Sequence, residues 1–370
     1  MRWHPSSDNP LRPRGWSGAI IRVLTQARGL MGQLSTASPH PWFPIPGLKP
    51  LVSNSFSPTH CKNLSLSMSL PLKIVQTFNP HPSKPTLVLP KGACDAHVHV
   101  FGPRAVFPFD PERQSTPQDA PKELLFKWHK QMGIERCVIV QSMVHALDNR
   151  VVEDAIKAGG GAYLGVALLS THVSDQELQR LAGIGFKGVR FNFMKHLGGA
   201  QGEAGVQRLK DIIALTHRLK AVNMHLQVHF ESSLIHELAK SFEQSAVPVV
   251  IDHMARVDAK KGADHADFAA LMHMLRNPLF HVKVSGIDRI DQSVPFEDPA
   301  RPYFRGIELA RLLVQTYPDQ CVWGSDWPHP NHTHIPDDGV LVQALAQIAP
   351  EPGLMKKILV DNPERLYGFV

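Results

Sequence analysis

A chain of 370 residues, 43% of them hydrophobic, is long enough to bury one large core or two modest ones. It contains no run of about 18 uncharged apolar residues, which argues against a membrane-spanning helix. The formal charge of +6 comes from the front of the chain: residues 1–67 hold seven Lys or Arg against Asp8 alone, leaving 32 of each sign beyond, so the body gives a nucleic-acid or membrane-surface partner no electrostatic support.

Residues 1–67 carry nine prolines and show neither a 3.6 nor a 2.0 period. This segment is expected to be a disordered N-terminal extension: an arginine-rich targeting segment, a tail, or a stretch ahead of the true start at Met68. Residues 68–370 then form the folded domain. Cys94, Cys137 and Cys321 open apolar runs without any CxxC pairing, as buried reduced thiols of a cytoplasmic protein would.

From Met68 onward, short β-branched runs alternate with longer amphipathic ones. The short runs are "ACDAHVHVF", "RCVIVQS", "AYLGVALL", "FKGVRFNF", "HLQVHF", "VPVVIDHM", "HVKVSG" and "CVWGSDWP". Between them lie helical stretches such as "DAPKELLFKWHKQMG", with Leu124, Leu125, Trp128 and Met132 on one face, and "VQRLKDIIALTHRLKA", with Val206, Leu209, Ile213 and Leu219 on one face. Strand then helix, eight times over, predicts an α/β fold: a single (β/α)₈ TIM barrel. A doubly wound sheet is disfavoured because no GxGxxG follows the first strand.

Side chains near the C-terminal strand ends of such a barrel face the active site. His97 and His99, at i and i+2, point to one side of the first strand, toward the lumen if Ala96 and Val98 face the helices. His229 ends the fifth run, His253 the sixth and Asp326 the eighth, so these five converge at the barrel mouth. Imidazoles with one carboxylate suit Zn²⁺ or a similar divalent ion with an open position for water, and Asp326 can take a proton from that water.

"DAHVHVFGP", "GFKGVRFNF", "VIDHMAR" and "VWGSDWPHPN" resemble the amidohydrolase superfamily, in the branch of the 2-pyrone-4,6-dicarboxylate lactonases and the muconolactone and sulfomuconolactone hydrolases. The resemblance runs from about Gly92 to "NPERLYGF". It implies hydrolysis of a small carboxylated lactone from aromatic-compound catabolism, with the strand-eight aspartate activating water. The pyrone lactonase works without metal and has a tyrosine at the end of strand five. Here His229 stands in that place and restores the superfamily's usual ligand. The expected ligand set is therefore His97, His99, His229 and Asp326 around a divalent metal, zinc foremost, with a metal-free site as the alternative. His253 is expected to be catalytic beside Asp326, as a ligand or by polarising the scissile carbonyl.

The resemblance also assigns substrate binding to Arg190 and Arg289, whose guanidinium forks suit carboxylates, to His196 after the "RFNF" stretch, and to His329 and Asn331 in the loop after Asp326. Three positions depart from the pyrone lactonase: His196 replaces an arginine, Ser115 a tyrosine and Met143 a serine, which favours a lactone with one carboxylate and a different second group. The rivals are a non-oxidative decarboxylase of the same superfamily and a non-enzymatic binding protein. No nucleic-acid or membrane partner is expected, and the chain is read as a monomer or small homo-oligomer.

Overall fold

A computed structural model describes residues 73–194, 202–292, 298–332 and 334–369. The extension 1–67 and His196 lie outside the described residues. Eight parallel strands stand side by side in chain order: β1 Cys94–Val98, β2 Arg136–Val140, β3 Tyr163–Leu168, β4 Phe186–Asn192, β5 His225–His229, β6 Val249–Ile251, β7 Phe280–Lys283 and β8 Cys321–Val322. Each falls within one of the eight runs read from the sequence, apart from one-residue extensions such as Phe280.

β8 is only two residues long, because Gly324, Ser325 and Asp326 leave the ladder to close the barrel. The Ala96 amide donates to the Trp323 carbonyl at 2.8 Å, the Asp326 amide to the His97 carbonyl at 2.8 Å, and the His99 amide to the Trp327 carbonyl at 2.7 Å. A Cβ on Gly324 would stand 2.6 Å from the His97 Cβ, so the seam between the eighth strand and the first requires glycine.

Helices cover the outside: α1 Lys122–Met132, α2 Arg150–Ala158, α3 Asp175–Ile184, α4 Gly202–Ala221, α5 Ile235–Phe242, α6 Ala266–Met274 and α7 Phe304–Thr316. On α1 the expected face holds, with Leu125, Trp128 and Met132 buried. On α4 it is rotated. Ile212, Leu215 and Leu219 are buried while Val206 is exposed, since the inward stripe starts later than the apolar count suggested. Among the described residues no helix is long and apolar enough to cross a membrane.

The strands alternate between two cores. Cys137 and Ile139 pack outward with the helices, while Val138, Val140, Leu164 and Val166 join Cys94 and Ala96 in an inner cluster that Tyr367 and Phe369 of the C-terminal segment complete. The expected orientation of Ala96 is thereby corrected: it faces inward. A register shift between Asp95 and Val98 breaks the alternation, as a bulge does, and turns His97 to the lumen as well. Asp95 is left as a fixed acceptor for the His97 and Ser325 amides at 3.0 Å each. Cys94, Cys137 and Cys321 are buried and unpaired.

Candidate active site

The barrel mouth gathers His97 on β1 and His99 just past it, Arg190 and Asn192 on β4, His229 on β5, Asp252 and His253 past β6, Arg289 past β7 and Asp326 past β8. His253 begins four consecutive residues, His253 to Arg256, with positive φ between 47° and 55°, and Asp326 has φ 66°. Left-handed backbone costs an L-residue about 1–2 kcal/mol. This turn carries that strain while directing His253 inward and Arg256 to the cavity wall.

One carboxylate oxygen is the focus. Asp326 Oδ1 lies 3.4 Å from His99 Nε2, 3.7 Å from His97 Nε2 and 3.8 Å from His253 Nε2, and among the described residues no hydrogen bond reaches it. Its other oxygen, Oδ2, accepts from Arg289 Nε, while Arg289 Nη2 donates to the Pro330 carbonyl at 2.9 Å. Burial pushes the Asp326 carboxyl up, but Arg289 and the surrounding imidazoles outweigh it and hold the group well below the usual carboxylate range. It is ionised at neutral pH.

The partners of each imidazole decide which can hold a metal. His99 Nδ1 faces the Val140 carbonyl at 2.6 Å, an acceptor only, so the ring donates there, and in its neutral form it turns an Nε2 lone pair toward Asp326 Oδ1. Two acceptors facing each other call for a cation between them. His97 Nδ1 lies 3.2 Å from Asp252 Oδ1 and is paired with Lys283 Nζ at 3.3 Å; with its proton on Nδ1, facing Asp252, the ring frees Nε2, and with the Lys283 ammonium donating to Nδ1 it does not. Burial, with Lys283 beside it, holds His97 down at about 4, so the ring is neutral. His253 Nδ1 pairs with the Ser285 hydroxyl at 2.8 Å. His97, His253 and Asp326 bring ligand atoms within 4.8 Å of one another.

His229 is different. Its Nδ1 lies 3.1 Å from Arg190 Nη2, and a guanidinium can only donate. The proton of this ring, kept neutral by burial and Arg190, therefore sits on Nε2, which cannot also be a ligand. The residues whose ligand atoms lie close enough together for one divalent ion are His97, His253 and Asp326, with His99 Nε2 3.4 Å from Asp326 Oδ1; His229, expected as a ligand, stands outside that group here.

A cavity of about 180 Å³ opens over this group, and His99, Arg190, His229, Arg256, Arg289 and Asn331 are among its walls. Arg190 is partly engaged: Nε donates to Asp252 Oδ2 at 2.8 Å. Asn331 accepts from Ser115 Oγ at 3.1 Å at the rim, and Met143 also lines the cavity. His329 is not on the cavity wall; its Nε2 is paired with Asp338 Oδ1 at 2.8 Å.

Arg256 was not singled out in the sequence. It lines the cavity with no hydrogen bond or ion pair among the described residues, and burial, with Arg289 nearby, pulls it down to about 10. Asp252, Gln227 and Ser285 were missed too: Lys283 Nζ donates to Gln227 Oε1 at 2.8 Å and lies 3.7 Å from Asp252, forming a buried support beneath His97. Arg256 and Asp252 flank His253 in "IDHMAR", and that adjacency was the available signal.

Comparison with known proteins agrees with the architecture. An amidohydrolase family model matches residues 94–369. A 2-pyrone-4,6-dicarboxylate hydrolase from Comamonas testosteroni is 41% identical over 78% of this chain and 93% of its own length. A 4-sulfomuconolactone hydrolase from Hydrogenophaga intermedia is 36% identical over 76% and 91%. Among solved structures, a Pseudomonas putida protein assigned as a 2-pyrone-4,6-dicarboxylic acid hydrolase superposes with a TM-score of 0.64 at 27% identity, covering 76% of this chain and 99% of that one. A buried carboxylate oxygen among three imidazoles, with no hydrogen bond from the described residues and set on a closed parallel barrel, is thus found in a chain that belongs to the amidohydrolase family.

Proposed function

We propose that this protein hydrolyses the ring ester of a small lactone bearing a carboxylate or sulfonate, the class named for its Comamonas and Hydrogenophaga relatives. The observation that carries the reading is the free Oδ1 of Asp326, ionised and buried beneath a cavity lined by Arg190, Arg256 and Arg289. Three arginines (Arg190, Arg256 and Arg289), with Lys283 pulled down to about 8 by burial, surround two carboxylates, Asp252 and Asp326, so the site favours an anionic substrate.

Arg256 anchors the substrate's anionic group with its unoccupied fork, and Arg289 and Arg190 contribute the donors they have left. This orients the ring ester over Asp326. Oδ1 takes a proton from water as the water oxygen bonds to the ester carbon. The charge that develops on the carbonyl oxygen faces the Nε2–H of His229, a preorganised donor. When the C–O ring bond breaks, the leaving oxygen recovers the proton from Asp326, giving a free hydroxyl and a carboxylic acid that then ionises to the carboxylate by losing its proton to solvent. A divalent ion held by His97, His99, His253 and Asp326 would acidify the water and polarise the carbonyl. A cytoplasmic setting fits the three buried thiols.

The test is turnover of 2-pyrone-4,6-dicarboxylate and 4-sulfomuconolactone, followed by loss of lactone absorbance, against an uncharged lactone of similar ring size. Anionic lactones should open and the uncharged one should not. Folded protein that opens neither anion, or that releases CO₂ from aromatic acids instead, refutes the reading.

A further inference from the structure

A second histidine–carboxylate cluster lies beside Arg289. Asp288 belongs to the short helix Ile287–Ile290 after β7, and His329 and His332 to the loop after β8. We propose that these three residues bind a second divalent metal, of the zinc type, that staples the two segments together.

Asp288 and His329 are fully buried, and 4% of the His332 side chain is exposed. One ligand atom from each lies within 4.8 Å of the others. Among the described residues, neither Asp288 oxygen, neither His332 nitrogen and not the Nδ1 of His329 makes a hydrogen bond. His332 Nε2 does stand 2.5 Å from Asp288 Oδ2, yet not in hydrogen-bond alignment. A buried carboxylate without hydrogen bonds is costly, and a cation removes the cost.

The surroundings suit a metal. His329 Nε2 is held by Asp338 Oδ1 at 2.8 Å, the carboxylate–imidazole arrangement that orients a ligating ring; its Nδ1 makes no hydrogen bond among the described residues and is open to a metal once the ring is neutral. His334 stands beside His332, ring centroids 6.2 Å apart, with its own Nδ1 unpartnered. Mixed nitrogen and oxygen donors fit zinc, whose bonds of about 2.0–2.2 Å require only a small contraction of the group. Because Asp288 adjoins Arg289, which holds Asp326, the staple would fix the guanidinium that orients the catalytic carboxylate.

The experiment uses the full chain without a histidine tag, stripped with chelator and reloaded with Zn²⁺ or Co²⁺. Bound metal is counted by elemental analysis and by the visible Co²⁺ spectrum, with circular dichroism as the check on folding. His332→Ala should hold one equivalent less than the parent protein, and Asp288→Asn should do the same if His332→Ala does not fold. His97→Ala should keep one equivalent. The proposal is overturned if folded His332→Ala and Asp288→Asn hold as much metal as the parent, or if His97→Ala holds none; in the latter case His332 and Asp288 are simply an ion pair.

Discussion

Two buried aspartates flank His97: Asp252, after β6, approaches Nδ1 at 3.2 Å, and Asp326, after β8, approaches Nε2 at 3.7 Å. Both are held well below the ordinary carboxylate range against the opposing effect of burial, Asp252 by His97, Arg190 and Lys283, Asp326 by Arg289 and the imidazoles. Their surroundings differ. In each, Oδ2 is held by an arginine and Oδ1 makes no hydrogen bond among the described residues, but Asp252 Oδ1 lies between His97 and Lys283, away from the cavity wall, whereas Asp326 lines the cavity. A depressed pKa, full burial and an oxygen without a hydrogen bond are thus common to a supporting carboxylate and a reacting one. What separates them is room above the carboxylate.

Substitution of each should break them apart in different observables. Asp326→Asn removes the proton acceptor while conserving shape, so kcat is expected to fall about 10³-fold or more, with the melting temperature nearly kept. Steady-state turnover of an anionic lactone measures this; near-parental kcat would remove Asp326 from the mechanism. Asp252→Asn should act chiefly on stability. It leaves Arg190 and Lys283 as buried cations with less compensation, a loss of about 3–5 kcal/mol in urea unfolding. An unchanged unfolding midpoint would show that Lys283 is not held as a charged group there.

The next effect in size distinguishes anchors by how occupied they are. Arg190 gives two donors to the protein and Arg289 two, while Arg256 gives none to the described residues. Arg256→Met should therefore raise KM for anionic lactones about 10–100-fold with kcat little changed, the worth of a charge-assisted hydrogen bond. An unchanged KM would place the substrate's anionic group elsewhere.

The barrel was legible because two periods, strand and helix, repeat eight times, and periodicity survives without any knowledge of tertiary contacts. His97, His99, His253 and Asp326 were legible because their places at strand ends follow from the same pattern. The partners of those residues were not. Whether His229 or His253 offers a lone pair depends on Arg190 at one ring and Ser285 at the other, which come from strands four and seven. Arg256 was hidden because four left-handed residues carry it to the cavity, a path no propensity encodes. His329 was expected on the pocket wall from its place near Asp326, but Asp338, nine residues on, captures it.

The smallest expected effect concerns His229, where the comparison between supporting and reacting groups is finest. The Arg190 fork makes its Nδ1 an acceptor, so Nε2–H is a donor and the ring lies outside the metal's donor set. His229→Gln keeps a donor at the end of β5 with only a shift in reach. Metal per chain should then equal that of the parent, and kcat should drop by no more than about tenfold, a weakened rather than deleted hydrogen bond. A loss of one equivalent of metal in this variant would mean that Arg190 releases the ring when the ion binds, and would return His229 to the ligand set in place of His253.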